Sequence, residues 1–98
     1  MDFMEKVYAA CSRIPKGKVS TYGEIAAALG KPGASRAVGN ALNKNRSSSV
    51  PCHRVVRSDG SVGGFAHGTK AKISLLEKEG LKIENGRIED LTRVLKRF

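Results

Sequence analysis

The segment Val50-Pro51-Cys52-His53-Arg54-Val55-Val56 concentrates the groups in this chain that could do covalent chemistry. A cysteine thiolate is a strong nucleophile toward a carbonyl or an alkyl carbon. His53 can take or give a proton near pH 7. Arg54 adds a positive charge close by, which favours a thiolate. Pro51 fixes its own φ and holds Val50 extended, so Cys52 is predicted at the stiff start of a short strand. Neighbours on a strand point to opposite faces, so His53 would reach the sulfur only around a bend or through a water. The plainer alternative is that Cys52 is a small buried apolar residue, a common fate of free cysteines.

Composition bears on which reading holds. The 98 residues suffice for one small domain. Eighteen Lys and Arg against nine Asp and Glu give a net charge of +9. That excess is larger than solubility requires and favours an anionic partner, nucleic acid ahead of an anionic membrane surface. No apolar run approaches the roughly 18 residues of a membrane span, and the first residues lack a signal-peptide pattern. A soluble intracellular protein with free thiols at Cys11 and Cys52 is therefore expected. No metal site is expected, because paired-cysteine or paired-histidine spacing is missing and adjacent Cys52 and His53 make awkward ligands.

The elements that must hold Cys52 are short. Residues 2–13 read as a helix with capping-box spacing at Asp2 and Glu5, and Phe3, Val7, Ala10 and Cys11 form its apolar face. On that face Cys11 reads as core. A Pro-Gly turn follows at residues 14–18. Thr21 and Glu24 form a second capping box, and the helix it opens stops at Gly30-Lys31-Pro32-Gly33. A further helix over 34–43 carries an inner stripe of Ala37, Val38, Ala41 and Leu42. Two short helices joined by a glycine-containing turn match the helix-turn-helix signature, with Arg36 early in the second. After a polar loop come the Cys52 segment and a turn at Ser58-Asp59-Gly60. Residues 61–65 are predicted to pair back on Val55-Val56. Gly63, Gly64 and Gly68 flank Phe65 and His67, a composition that turns sharply or admits a ligand to the backbone. Thr69 is predicted to cap a helix over 70–79, with Ala71, Ile73, Leu75 and Leu76 inward and Gly80 ending it. Asn85-Gly86 signals a hairpin over 81–88, and Asp90 would cap a last helix over 91–98.

Taken together, Ile14-Pro15-Lys16-Gly17-Lys18-Val19-Ser20-Thr21-Tyr22-Gly23-Glu24, Ser35-Arg36-Ala37-Val38-Gly39, Val50-Pro51-Cys52-His53-Arg54-Val55-Val56 and Gly60-Ser61-Val62-Gly63-Gly64-Phe65 resemble the C-terminal domain of the O6-alkylguanine-DNA alkyltransferases. The likeness covers residues 3–88, and Pro-Cys-His-Arg-Val after a helix-turn-helix is a specific motif. The resemblance implies a mostly α domain with a small β element and a helix-turn-helix (winged-helix-like) arrangement. It implies stoichiometric, irreversible transfer of a methyl or other alkyl group from O6-alkylguanine in duplex DNA to the protein's own cysteine, with no cofactor and no metal. Cys52 then matches the acceptor. His53 matches the histidine that reaches the thiol through a water, Glu79 the glutamate that holds it, and Asn45 the asparagine that ties the active-site turn. Tyr22 matches the tyrosine that helps rotate the base and donates toward the leaving guanine. Arg36 matches the arginine that fills the gap left by the flipped base, with the second helix in the minor groove. Thr21, Ser35, Ala37, Gly39 and Lys44 would join Tyr22 and Arg36 on the DNA side. Val50, Pro51, Gly63, Phe65, Ala66 and His67 would form the substrate pocket.

The sequence also departs from the family. The usual N-terminal domain is not found, so residues 1–98 are expected to form a single domain of the C-terminal type. The loop between Asn45 and Cys52 is one residue short and carries Arg46-Ser47-Ser48-Ser49. Phe65, Ala66 and His67 stand where tyrosine, serine and glycine are common. The resemblance implies a monomer acting on double-stranded DNA, without a membrane, in the cytoplasm at the nucleoid (in the nucleus of a eukaryote). The alternative is an alkyltransferase-like lesion sensor, a non-catalytic DNA-binding protein. Such sensors have tryptophan at the acceptor position, whereas this chain has Cys52 and no tryptophan.

Overall fold

Apolar residues at three- and four-residue spacing build the N-terminal half from three helices. The computed structural model describes residues 2–63 and 68–98. In it α1 spans Phe3–Cys11, α2 Tyr22–Ala28 and α3 Ser35–Asn43. Asp2 caps α1, its carboxylate accepting the Glu5 N–H at 2.8 Å. Thr21 caps α2 in the same way, its Oγ1 accepting the Glu24 N–H at 3.0 Å. Each cap is the one the sequence predicts, and each satisfies a donor that the first helical turn leaves open. Val7, Ala10 and Cys11 meet Ile25 and Ala26 of α2 and Val38, Ala41 and Leu42 of α3 in one buried cluster. The alanines let the three helices approach closely, and the Tyr8 hydroxyl ties α1 to α3 by donating to the Ala41 carbonyl at 2.7 Å. Ala37, predicted inside, is exposed, because positions 38, 41 and 42 already complete the inner stripe.

The strand through the Cys52 segment is shorter than expected and has a different partner. Cys52–Arg54 form a 3-10 turn, and only Val55–Val56 are extended, as β2. β2 pairs in parallel with β1, Ser20–Thr21, and among the described residues not with residues 61–63. The reason is burial. Val55 and Val56 are both fully buried, one in the N-terminal cluster and the other in a second cluster with Val19, Val62, Leu76, Leu81 and Ile88. A strand enclosed on both faces needs an interior partner, and Val19-Ser20-Thr21 supplies it. The turn at Gly60 is closed by the Arg57 N–H on the Ser61 carbonyl at 2.9 Å, and Ser61 bridges Arg87 instead. Gly64, Phe65, Ala66 and His67, for which the sequence predicts a sharp turn or a ligand-facing stretch, lie outside the described residues.

The C-terminal part contains α4, Thr69–Lys78, a hairpin of β3, Ile83–Glu84, with β4, Arg87–Ile88, and α5, Leu91–Val94. Asn85 and Gly86 both have positive φ (52° and 75°), as the predicted Asn-Gly turn requires. Thr69 is the first helical residue of α4 rather than its cap. That place belongs to Gly68, whose helix start has no side-chain hydrogen bond. Leu75, predicted inward, is 37% exposed, while Lys72 and Leu76, one turn apart, are fully buried. Gly80 ends α4 with φ 95°. Its N–H donates to the Glu77 carbonyl and the Leu81 N–H to the Leu76 carbonyl, the paired bonds of a Schellman end. The last helix is cut to one turn. Asp90 has φ 55° and makes no capping bond, and Leu95 bridges Val19. The Lys96 N–H donates to the Val19 carbonyl at 2.6 Å, which draws the tail along β1 and out of helical geometry. The architecture is thus mostly helical with a small β element. Among the described residues no helix is long and apolar enough to cross a membrane.

Candidate active site

Cys52 is presented by a turn that its own sequence makes. Pro51 has φ −79° and ψ 64°, and the Cys52 N–H donates to the Val50 carbonyl at 2.8 Å. This is an inverse γ-turn, a tight bend that a fixed proline φ favours. The chain then enters the 3-10 turn, so Cys52, His53 and Arg54 fan out in three directions instead of alternating. Val50 and the half-buried Cys52 pack against the N-terminal core.

Three neighbours surround the sulfur. The Asn45 Nδ2 donates to Cys52 Sγ at 3.1 Å. Sγ also donates to the Leu42 carbonyl at 3.8 Å, and Cys52 packs on the core cluster that holds the Cys11 thiol. Asn45 is itself fixed, donating to the Ser47 carbonyl at 2.9 Å and accepting the Ser47 N–H at 3.0 Å. The short Arg46-Ser47-Ser48-Ser49 loop therefore still delivers the asparagine to the thiol. These contacts bring the Cys52 thiol down to about 7 from its ordinary 9.0. The neighbouring Cys11 thiol lowers it most, burial opposes, and Asn45, the Cys52 backbone N–H and the Lys72 charge add to the lowering. Cys11, fully buried, is pushed far up by the Cys52 thiol and by burial.

Behind the turn sits an ionic network. The His53 Nε2 meets Glu79 Oε2 at 2.9 Å. Arg54 grips the same carboxylate with two bonds, Nε to Oε1 at 3.0 Å and Nη2 to Oε2 at 2.8 Å, and its Nη1 donates to the Ile14 carbonyl at 2.9 Å. Burial works against ionisation of Glu79, but the hydrogen bonds from Arg54 and His53 outweigh it and hold the carboxyl below its ordinary value. The Schellman end of α4 places Glu79 there. Arg54, which the sequence reading takes as a charge for the thiol, is spent on Glu79 and on the Ile14-Pro15 turn. Among the described residues no direct hydrogen bond joins His53 to Cys52.

Tyr22 opens α2 with its ring against Gly39 of α3, where an added Cβ would lie 3.7 Å from the ring carbons. Its hydroxyl is 3.4 Å from the Lys72 Nζ and would be 3.5 Å from a Cβ on Gly63. Burial raises the Tyr22 hydroxyl, and the Arg57 charge pulls it back in part. Lys72 is pushed down to about 8, first by burial and then by Arg57. A cavity of about 500 Å³ opens beside Tyr22, lined by Ser35, Arg36, Gly39, Asn40 and Arg57. Arg36, Ala37 and Lys44 are exposed on or beside α3, whereas Thr21 is buried and its hydroxyl is used by the α2 cap. Cys11, Lys72 and Arg57 lie beside the site without having been singled out from the sequence, and Arg54 serves Glu79 instead of the thiol. A lysine at 72, one turn before Leu76 on the inward face, was the available signal for one of them.

The geometry defines a helix-turn-helix domain that holds a half-buried, hydrogen-bonded thiol beside a cationic cavity. The chain belongs to the family described as 6-O-methylguanine DNA methyltransferase, DNA binding domain, which matches residues 2–81. It is 42% identical over 90 residues to a bifunctional methyltransferase/endonuclease of Picrophilus torridus, covering 91% of this chain and 30% of that protein. It is 48% identical over 80 residues to a methylated-DNA–protein-cysteine methyltransferase of Methanosarcina acetivorans, covering 81% and 51%. The chain thus spans from about 30% to about half of the length of these curated relatives. Its fold superposes on S. pombe Atl1 in complex with damaged DNA containing O6-carboxymethylguanine with a TM-score of 0.87 at 36% identity, covering 98% of this chain and 95% of that one. With Mycobacterium tuberculosis OGT in complex with DNA the TM-score is 0.78 at 44% identity, covering 82% and 49%.

Proposed function

We propose that this domain repairs O6-alkylguanine in duplex DNA by transferring the alkyl group irreversibly to Cys52. The observation that carries the reading is the Cys52 thiol, bent out by Pro51, held at 3.1 Å by Asn45 and lowered to about 7. A thiol in that state is substantially ionised at neutral pH, which a merely structural cysteine does not need. A base inside a duplex must first leave the stack, at a cost of a few kcal/mol. Arg36 on α3 fills the vacated place, and the cavity beside Tyr22 admits the strand. Sγ then attacks the alkyl carbon in line, an S–C bond forms and the C–O6 bond breaks. The electron pair passes to the guanine, where the Tyr22 hydroxyl, backed by Lys72 at 3.4 Å, donates to the developing charge. His53 accepts the Cys52 proton through a water, and Glu79 holds the imidazole for that task.

The product is a thioether, which water does not hydrolyse, so one protein repairs one lesion. The protein acts as a monomer on double-stranded DNA, in the cytoplasm at the nucleoid or in a nucleus. The family match and the superposition on two DNA-bound relatives support this reading. A duplex carrying a radiolabelled O6-methylguanine tests it. Label is expected on the protein at no more than one methyl per chain, and Cys52→Ala should accept none while still binding the duplex. Label transfer to that variant would sink the assignment. Lesion-selective binding without transfer by the wild type would move the domain to the sensor class.

A further inference from the structure

Arg57, directly after β2, enters the site above only through its charge on Tyr22 and Lys72, and the family motif gives it no role. It is exposed and lines both cavities beside Tyr22, the one of about 500 Å³ with Ser35 and Arg36 and an adjoining one of about 350 Å³ with Gly23 and Ser58. Its stem lies over Gly63, where an added Cβ would be 3.5 Å from its Cγ, its Nε and the Tyr22 hydroxyl alike. Gly63 has φ +73°. A Cβ would touch these atoms only at ordinary van der Waals distance, so it is the positive φ of the bend beneath the arginine that calls for glycine. Among the described residues neither Arg36 nor Arg57 has an ion-pair partner, whereas Arg54 and Arg87 have carboxylates at 2.8 and 3.9 Å. The nearest acid on this rim is Asp59, which lines the smaller cavity, binds Ser61, pairs loosely with Arg87 at 3.9 Å and feels the Arg57 charge without forming an ion pair with it.

Two unpaired guanidiniums from separate elements therefore face one open cavity, across a floor of Tyr22 and Ser35. Guanidinium forks match phosphate oxygens, and phosphate contacts fix register on a duplex without reading sequence. We propose that Arg57 binds a DNA backbone phosphate across the cavity from Arg36, so that the strand carrying the lesion is clamped between the post-β2 turn and α3. This inference rests on the duplex-DNA reading and adds a positioning residue to it. Arg57 holds the strand from the outside while Arg36 occupies the stack.

The test is the salt dependence of duplex binding for wild type, Arg57→Gln and Arg57→Lys, measured with and without an O6-methylguanine. Each phosphate contact contributes about 0.9 to the slope of log affinity against log salt. Arg57→Gln should lower that slope by about 0.9 and weaken binding by about tenfold at low salt, equally for damaged and undamaged duplexes. Arg57→Lys should keep the slope. The melting temperature should be unchanged in all three proteins, a readout that a folding defect would move. Wild-type binding with an unchanged slope in Arg57→Gln overturns this inference alone. A wild type that binds no duplex overturns the repair reading as well.

Discussion

Removing Asn45 separates a thiol tuned by hydrogen bonding from a cysteine merely buried near a loop. The Asn45 Nδ2 stands 3.1 Å from Cys52 Sγ, and the thiol sits at about 7. A hydrogen bond to a charged group is worth about 1.5 kcal/mol, or about one pK unit, so Asn45→Ala should bring Cys52 to about 8. At pH 7 the thiolate fraction then falls from about one half to about one tenth. A more basic thiolate is also a better nucleophile, by about threefold per unit. These two effects combine to a loss of about twofold at pH 7 and about threefold at pH 6, and a gain of about threefold above pH 9. The profiles of wild type and variant should cross near pH 7.5–8. The assay is the rate of carbamidomethylation by iodoacetamide from pH 5.5 to 10, read by mass at Cys52. Cys11 stays silent because it is fully buried and its thiol is pushed far up. Equal losses at every pH would refute the reasoning, because they would mean that Asn45 only holds the 45–49 loop.

Further tests address other groups. Cys11→Ala should raise the Cys52 thiol more than Asn45→Ala does, since the neighbouring Cys11 thiol lowers it most, while Cys11→Ser should leave it low; a profile unmoved by Cys11→Ala would remove Cys11 from the site. Glu79→Gln should cost about 2–4 kcal/mol at neutral pH by leaving Arg54 without its carboxylate. Because the folded carboxyl lies below its ordinary value, that stabilisation is present above the ordinary carboxylate range and is lost as pH falls through the folded value. The difference in melting temperature should therefore shrink toward zero in acid, and a pH-independent difference would argue against the network. Tyr22→Phe should slow methyl transfer from duplex DNA by at least tenfold without changing iodoacetamide reactivity; loss of both would make Tyr22 a packing residue. Arg36→Ala should reduce repair in duplex DNA far more than transfer from the free base, and equal losses would remove its role in the stack.

Local signals were legible where one residue sets one bond. Asp2 and Thr21 cap their helices, Asn85-Gly86 turns the hairpin, and Gly80 ends α4. The bend at Cys52 was not legible: Pro51 pointed to the stiff start of a strand, whereas a γ-turn followed by a 3-10 turn presents the thiol. Neither was pairing. Val55-Val56 carries no mark of its partner, and only the enclosure of both valines between two cores selects Ser20–Thr21 over the nearer residues 61–63. The last helix failed for a similar reason, since the bond from Lys96 to Val19 is long-range and outweighs local periodicity. Cys11 read as core and is core, yet the same core cluster carries Cys52 on its edge, a proximity between positions 41 residues apart. Buried Lys72 occupies the inner face that periodicity assigned to Leu75, because the side chain serves the Tyr22 hydroxyl rather than the apolar stripe.

The account stands or falls on where the alkyl group goes. Intact mass of the protein after mixing with a duplex holding one O6-methylguanine, followed by fragmentation, answers that directly. A single gain of about 14 Da localised to Cys52, with no turnover when lesion is in excess, is the predicted result. An unchanged mass, or a methyl found on Cys11 or elsewhere, would contradict it.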